Sequence, residues 1–201
     1  MEDKPVENTQ SSNFFRRSDF PNLILIGSTA SGKSTVGDIL ARLLGFGCID
    51  IDQWITKESG KPISEIFKEE GEVGFRKWES DAIDFLNGAL NHVIIAGGGI
   101  VDNEDNWEKL RKLGPVVWLA TPVPEIVRRL VMKPDELRKR PLLADSVSIE
   151  DRTQREAFLA NKLNELLERR FERYLQCDYI LENSFLTSET CAQFIKGMVV
   201  Q

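Results

Sequence analysis

The chain has 201 residues, 41% hydrophobic and 29% charged, an ordinary composition for a folded protein with a full core. Its net charge of −6 argues against a broad nucleic-acid-binding face but leaves room for a local basic pocket. No apolar run approaches the roughly 18 residues that cross a bilayer, and the start, Met1 to Pro5, has neither the basic nor the apolar region of a signal peptide, so a cytoplasmic protein without membrane partners is expected.

Residues 1–20 are polar and turn-rich and are expected to form a loose extension, with Phe14, Phe15 and Phe20 as candidates to pack on the surface. Residues 21–201 are expected to form one domain. Its first strand, near 22–27, runs into Gly27-Ser28-Thr29-Ala30-Ser31-Gly32-Lys33-Ser34-Thr35, and a helix near 33–44 follows. Strand, glycine-rich turn and helix are the context in which G-x-x-x-x-G-K-[ST] holds phosphate. Successive backbone N–H groups curl around phosphate oxygens, the helix adds its positive end, Lys33 reaches the outer phosphates and the Ser34 hydroxyl sits on Mg²⁺. An ordinary tight turn is the alternative.

The second strand, near 46–51, ends in Asp50-Ile51-Asp52. Strand alternation points both carboxylates to one side. One suits the water shell of Mg²⁺ and the other a proton from an attacking hydroxyl; a solvated strand end or a helix N-cap is the plain reading. Helices fit near 62–69 and 72–90. In the second, Phe75, Trp78, Ala82, Phe85 and Ala89 form a stripe that packs on the body, and Arg76 at its border reads by itself as a solvated surface arginine. His92 opens the third strand, near 92–96, as a strand-edge histidine. Gly97-Gly98-Gly99 then suits a close approach to the main chain or a positive φ, if it is not a plain flexible turn.

A helix near 104–113, a strand near 115–120 and a helix near 123–132 come next. The run from Lys133 to Leu143 is basic and proline-punctuated and holds Arg140: a solvated loop, or a mobile flap over phosphates. In the long helix near 151–176, Leu159, Leu163, Leu166 and Tyr174 share a face with Arg170 near its middle. A guanidinium there needs either an internal carboxylate or an anionic ligand. A strand near 177–182 and a helix near 187–198 end the chain. The alternation implies a parallel sheet covered on both faces, with ligands at the carboxyl ends of the strands. Cys48, Cys177 and Cys191 lack metal-ligand spacing and read as reduced, mostly buried thiols.

Together, over about residues 22–182, these motifs resemble the shikimate kinases, small P-loop kinases of the nucleoside-monophosphate-kinase type. The P-loop, Asp50-Ile51-Asp52 as D-x-D, Gly71-Glu72 with Phe75-Arg76 and Glu79 as G-E-x-x-F-R-x-x-E, the triple glycine, Arg140-Pro141-Leu142-Leu143 as R-P-L-L, and Arg170 four residues before Tyr174 occur in the family's order. The resemblance implies a three-layer α/β P-loop kinase fold of about five parallel strands with helices on both faces, a mobile lid over about 133–152, and substrate-binding helices. It implies transfer of a phosphoryl group from ATP to shikimate, in aromatic amino-acid synthesis, by a monomer. Ala30, Ser31, Gly32, Lys33, Ser34, Thr35 and Arg140 would hold the nucleotide, and Ser34 and Asp50 would place Mg²⁺. Asp52, Arg76, Gly98 and Arg170 would bind shikimate, with Lys33, Asp52 and Arg140 catalytic.

Departures are Ala30 for a common glycine, Cys48 for a phenylalanine, a longer segment between Arg140 and Arg170, and a loop from Glu182 to Glu189 without the arginine and proline looked for beside adenine. A gluconate or nucleoside kinase and a non-catalytic nucleotide binder are the rivals. A GTP switch would need N-K-x-D, and Asn161-Lys162-Leu163-Asn164 lacks the aspartate.

Overall fold

The computed structural model describes residues 20–199. Its strands are β1 (Asn22–Ile26), β2 (Gly47–Asp50), β3 (His92–Ile95), β4 (Val116–Leu119) and β5 (Tyr179–Leu181). All pairings are parallel and the order is β2-β3-β1-β4-β5, so β1 lies in the centre with the P-loop at its carboxyl end. The helices are α1 (Lys33–Leu44), α2 (Ile51–Ser59), α3 (Ile63–Phe85), α4 (Glu104–Lys112), α5 (Val123–Val131), α6 (Pro134–Arg138), α7 (Arg152–Tyr174) and α8 (Ser188–Val199), with 3₁₀ turns over Ile100–Asp102 and Pro141–Ser148. None of the described helices is long and apolar enough to cross a membrane.

Strand alternation divides the continuous apolar runs between two faces. Leu23, Leu25, Val93, Val117 and Leu119 pack on Val36, Leu40 and Leu44 of α1 and Ala192, Ile195 and Val199 of α8. Ile24, Ile26, Ile94, Val116 and Trp118 face the other way, against Ile51 and Ile55 of α2, Phe75 and Ile83 of α3, Trp107 of α4 and Tyr174 of α7. A third cluster joins Ile126 and Leu130 of α5, Leu137 and Leu143, and Leu159 and Leu163 of α7.

Several sequence expectations change here. The two helices expected at 62–69 and 72–90 are present as the two arms of α3, separated by a kink at Gly71 (φ 69°, ψ −174°), a conformation that glycine alone takes without strain. The face α3 buries is Ile66, Phe75, Glu79, Ala82 and Ile83; Phe85, expected on it, is 61% exposed and stacks against Trp54 instead. The expected second strand stops at Asp50, and α2 begins at Ile51, because the Asp50 carboxylate caps a helix by accepting from the Asp52 and Gln53 amides at 3.0 and 3.4 Å. Asp52 is therefore a first-turn helical residue, not a strand residue. Residues 133–152 are largely helical, with Leu137 and Leu143 buried. Of the cysteines only Cys191 is buried; Cys48 is exposed on the edge strand and Cys177 is intermediate. Phe20 is buried, edge-on to Phe46 at 6.2 Å, whereas Phe14, Phe15 and the rest of the expected extension before Phe20 lie outside the described residues.

Candidate active site

The loop between β1 and α1 turns through three residues of positive φ. Gly27, Ala30 and Gly32 have φ of 144°, 56° and 100°. Ala30 takes a left-handed conformation as a non-glycine, a cost of about 1 kcal/mol that the surroundings hold in place. Those surroundings are specific: the Ser31 carbonyl accepts from Thr121 Oγ1 at 3.2 Å, Asn183 Nδ2 at 2.9 Å and Arg129 Nη1 at 3.0 Å. Lys33 Nζ donates to the carbonyls of Gly27 and Ser28 at 2.9 and 2.8 Å. Burial pulls its pKa down to about 8, with Asp52 and Asp50 opposing and Arg140 reinforcing the shift. Ser34 Oγ donates to Asp50 Oδ2 at 2.7 Å.

Two clefts meet beside this loop. The first is lined by Thr29, Ala30, Gly32, Lys33, Ser34, Thr35, Asp50 and, across from them, Arg128, Arg129 and Arg140. Ser31 is fully buried beneath it. The second is lined by Arg76, Glu79, Gly99 and Arg170 with apolar walls from Phe67, Phe75, Leu142 and Leu163. Thr29, Asp52, Gly97, Gly98 and Arg140 line both.

The three glycines leave room for three different neighbours, and none has a positive φ. A Cβ on Gly97 would come within 3.0 Å of Asp52 Oδ1 and 3.2 Å of Glu79 Oε1; one on Gly98 within 3.2 Å of the Gly27 carbonyl and 3.5 Å of Arg170 Nη1; one on Gly99 within 2.4 Å of Arg76 Nη1. Close approach, not turn geometry, explains this run.

Burial raises the Asp52 carboxyl, and the Asp50 charge adds to it, against the pull of Lys33, Arg140 and Arg76. Arg140 donates to Thr29 Oγ1, and burial lowers its pKa against the pull of Glu136 and Asp52. Arg170, 5% exposed, has an internal partner: its Nε and Nη2 reach Asp102 at 3.0 and 2.8 Å. Arg76 is no free surface arginine. Its Nη1 donates to Glu79 Oε2 at 2.7 Å and its Nη2 to Glu72 Oε1 at 2.6 Å.

The donor set around Ser34 and Asp50 is oxygen only, which fits a hard divalent ion. Among the described residues no group of three or more His, Cys, Asp or Glu side chains could hold a metal ion.

A protein-family model described as Shikimate kinase matches residues 29–198. The chain belongs to the shikimate kinase family. A curated shikimate kinase of Nostoc punctiforme is 43% identical over 157 residues, 78% of each chain. One from Persephonella marina is 40% identical over 78% of this chain and 85% of its own. A shikimate kinase from Acinetobacter baumannii, solved in complex with shikimate, is 35% identical and superposes with a TM-score of 0.76 over 88% of this chain and 90% of that one. The chain is thus an ATP-dependent small-molecule kinase of this family, on its α/β fold.

Beyond the predicted residues, Glu79 lines the second cleft and Arg129 the first, while Asp102 holds Arg170 and Thr121 and Asn183 hold the Ser31 carbonyl from outside the clefts. Glu79 is visible in the sequence only as a member of a motif. Arg129 has a faint signal, as a basic residue one helix after the fourth strand. Asp102, Thr121 and Asn183 have none, since each acts across at least 26 residues of chain.

Proposed function

We propose that the chain transfers the γ-phosphoryl group of ATP to the 3-hydroxyl of shikimate. The observation that carries this is the meeting of two clefts, one at a P-loop and one with two arginines, at Asp52 and Arg140. The donor nucleotide lies along residues 30–35, its phosphates against the backbone amides and Lys33. The shikimate carboxylate lies on Arg76, Arg170 and the backbone at Gly98, and the apolar walls hold its ring. Ser34 and Asp50 would hold Mg²⁺, which when bound neutralises phosphate charge. Asp52 takes the proton of the attacking hydroxyl as the new O–P bond forms and the bond to ADP breaks. Its raised pKa suits that task. Lys33 and Arg140 neutralise charge on the transferring group. Residues 133–152 serve as the lid that carries Arg140.

A nucleoside would offer no carboxylate to the two arginines that line the acceptor cleft, so the cleft favours a small carboxylate. ADP release with Mg-ATP and a panel of shikimate, gluconate and nucleosides tests this. Turnover with shikimate is expected; none with shikimate, or faster turnover of gluconate, refutes it.

A further inference from the structure

Asp102 follows the triple glycine, on the 3₁₀ turn Ile100–Asp102, and its amide donates to the Gly99 carbonyl at 2.9 Å. Its side chain is a hub for three guanidinium groups. Oδ1 accepts from Arg170 Nε at 3.0 Å. Oδ2 accepts from Arg170 Nη2 at 2.8 Å, Arg169 Nη2 at 2.7 Å and Arg76 Nη2 at 3.4 Å. Arg76 and Arg170 line the acceptor cleft, and Asp102 does not. The carboxylate therefore sits behind the arginines and not between them and the ligand.

We infer that Asp102 is a positioning residue for acceptor binding: it locks the Nε–Nη2 edge of Arg170 from behind, turns Nη1 toward Gly98, and draws Arg76 to the same point. The inference rests on the reading of Arg76 and Arg170 as the substrate's carboxylate site. A guanidinium presents a rigid planar fork, so fixing one edge fixes the direction of the other. Holding such groups before the ligand arrives reduces the ordering cost of binding. Asp102 also offsets mutual repulsion among Arg76, Arg169 and Arg170. Burial alone would raise its pKa, yet hydrogen bonds and charge from Arg170 and Arg169 hold it below the ordinary carboxylate range, so it stays anionic at neutral pH. Asp102 does not compete with a ligand for Arg170, because it stands off the cleft, whereas Glu79 lines the cleft and pairs with Arg76.

The test is steady-state kinetics of Asp102→Ala and Asp102→Asn, with Arg170→Ala as the reference and thermal unfolding of each. We expect Asp102→Ala to raise KM for shikimate by about tenfold, with kcat and KM for ATP within about twofold. Asp102→Asn, which keeps an oxygen acceptor but loses the charge, should fall between it and the parent and serves if the alanine variant does not fold. A KM for shikimate that is unchanged or lower, while Arg170→Ala raises it, overturns the role of Asp102 and leaves the carboxylate site standing. If Arg170→Ala leaves that KM unchanged as well, the carboxylate site itself fails and this inference fails with it.

Discussion

Replacing Glu79 by glutamine isolates a pH dependence that the fold creates. Glu79 is 1% exposed; one carboxylate oxygen meets Arg76 at 2.7 Å and the other, Oε1, is buried without a hydrogen-bond partner. Burial pushes its pKa from 4.5 to about 7, against the pull of Arg76. The native state therefore binds this proton more tightly than the unfolded chain. The resulting stabilisation is complete below pH 4.5 and is lost as pH rises through about 7. Between about pH 5 and pH 8 the loss integrates to roughly 2.5 kcal/mol. Glutamine does not titrate, so Glu79→Gln should escape it. Urea unfolding of both proteins across this range should show the parent losing about 1 M of midpoint relative to the variant, for a slope near 2 kcal/mol per M. Parallel stability curves would refute the reasoning, because every other titrating group is common to both proteins.

Asp52→Asn should lower kcat by about a hundredfold with stability at neutral pH no lower, since a buried carboxyl with a raised pKa is removed; an unchanged kcat removes Asp52 from the chemistry. Gly99→Ala places a methyl within 2.4 Å of Arg76 Nη1. Displacing that guanidinium should cost about 1–2 kcal/mol of acceptor binding, roughly a tenfold rise in KM for shikimate with KM for ATP unmoved. Lys33 holds its proton only up to about pH 8 in the free protein. Because phosphate binding favours the charged amine, titration calorimetry should show Kd for Mg-ATP rising by up to about tenfold over the next pH unit; a flat profile shows that Lys33 is not so perturbed.

The P-loop, the two-faced sheet and the order of motifs were legible in the chain because each depends on spacing within one or two turns or strands. Asp50 and Asp52 illustrate the limit. Their proximity to the loop was readable, but the cap that Asp50 makes ends the strand early and moves Asp52 onto a helix. The triple glycine shows the same limit. Three glycines announced a close approach, and only packing shows that Gly97, Gly98 and Gly99 each admit a different group. For Arg170 both open readings apply: it has an internal carboxylate and it lines the cleft.

The sequence by itself determined the donor side: a strand, a glycine-rich turn and a helix in register make a phosphate cradle wherever the rest of the chain goes. It also supplied the residue types for an acceptor with a carboxylate. Tertiary structure alone decided that Arg76, Arg170 and Asp102 converge at one point, 26 to 94 residues apart in the chain. Their meeting depends on how α3, α7 and the turn after β3 pack on one face of the sheet, and no local periodicity encodes that arrangement.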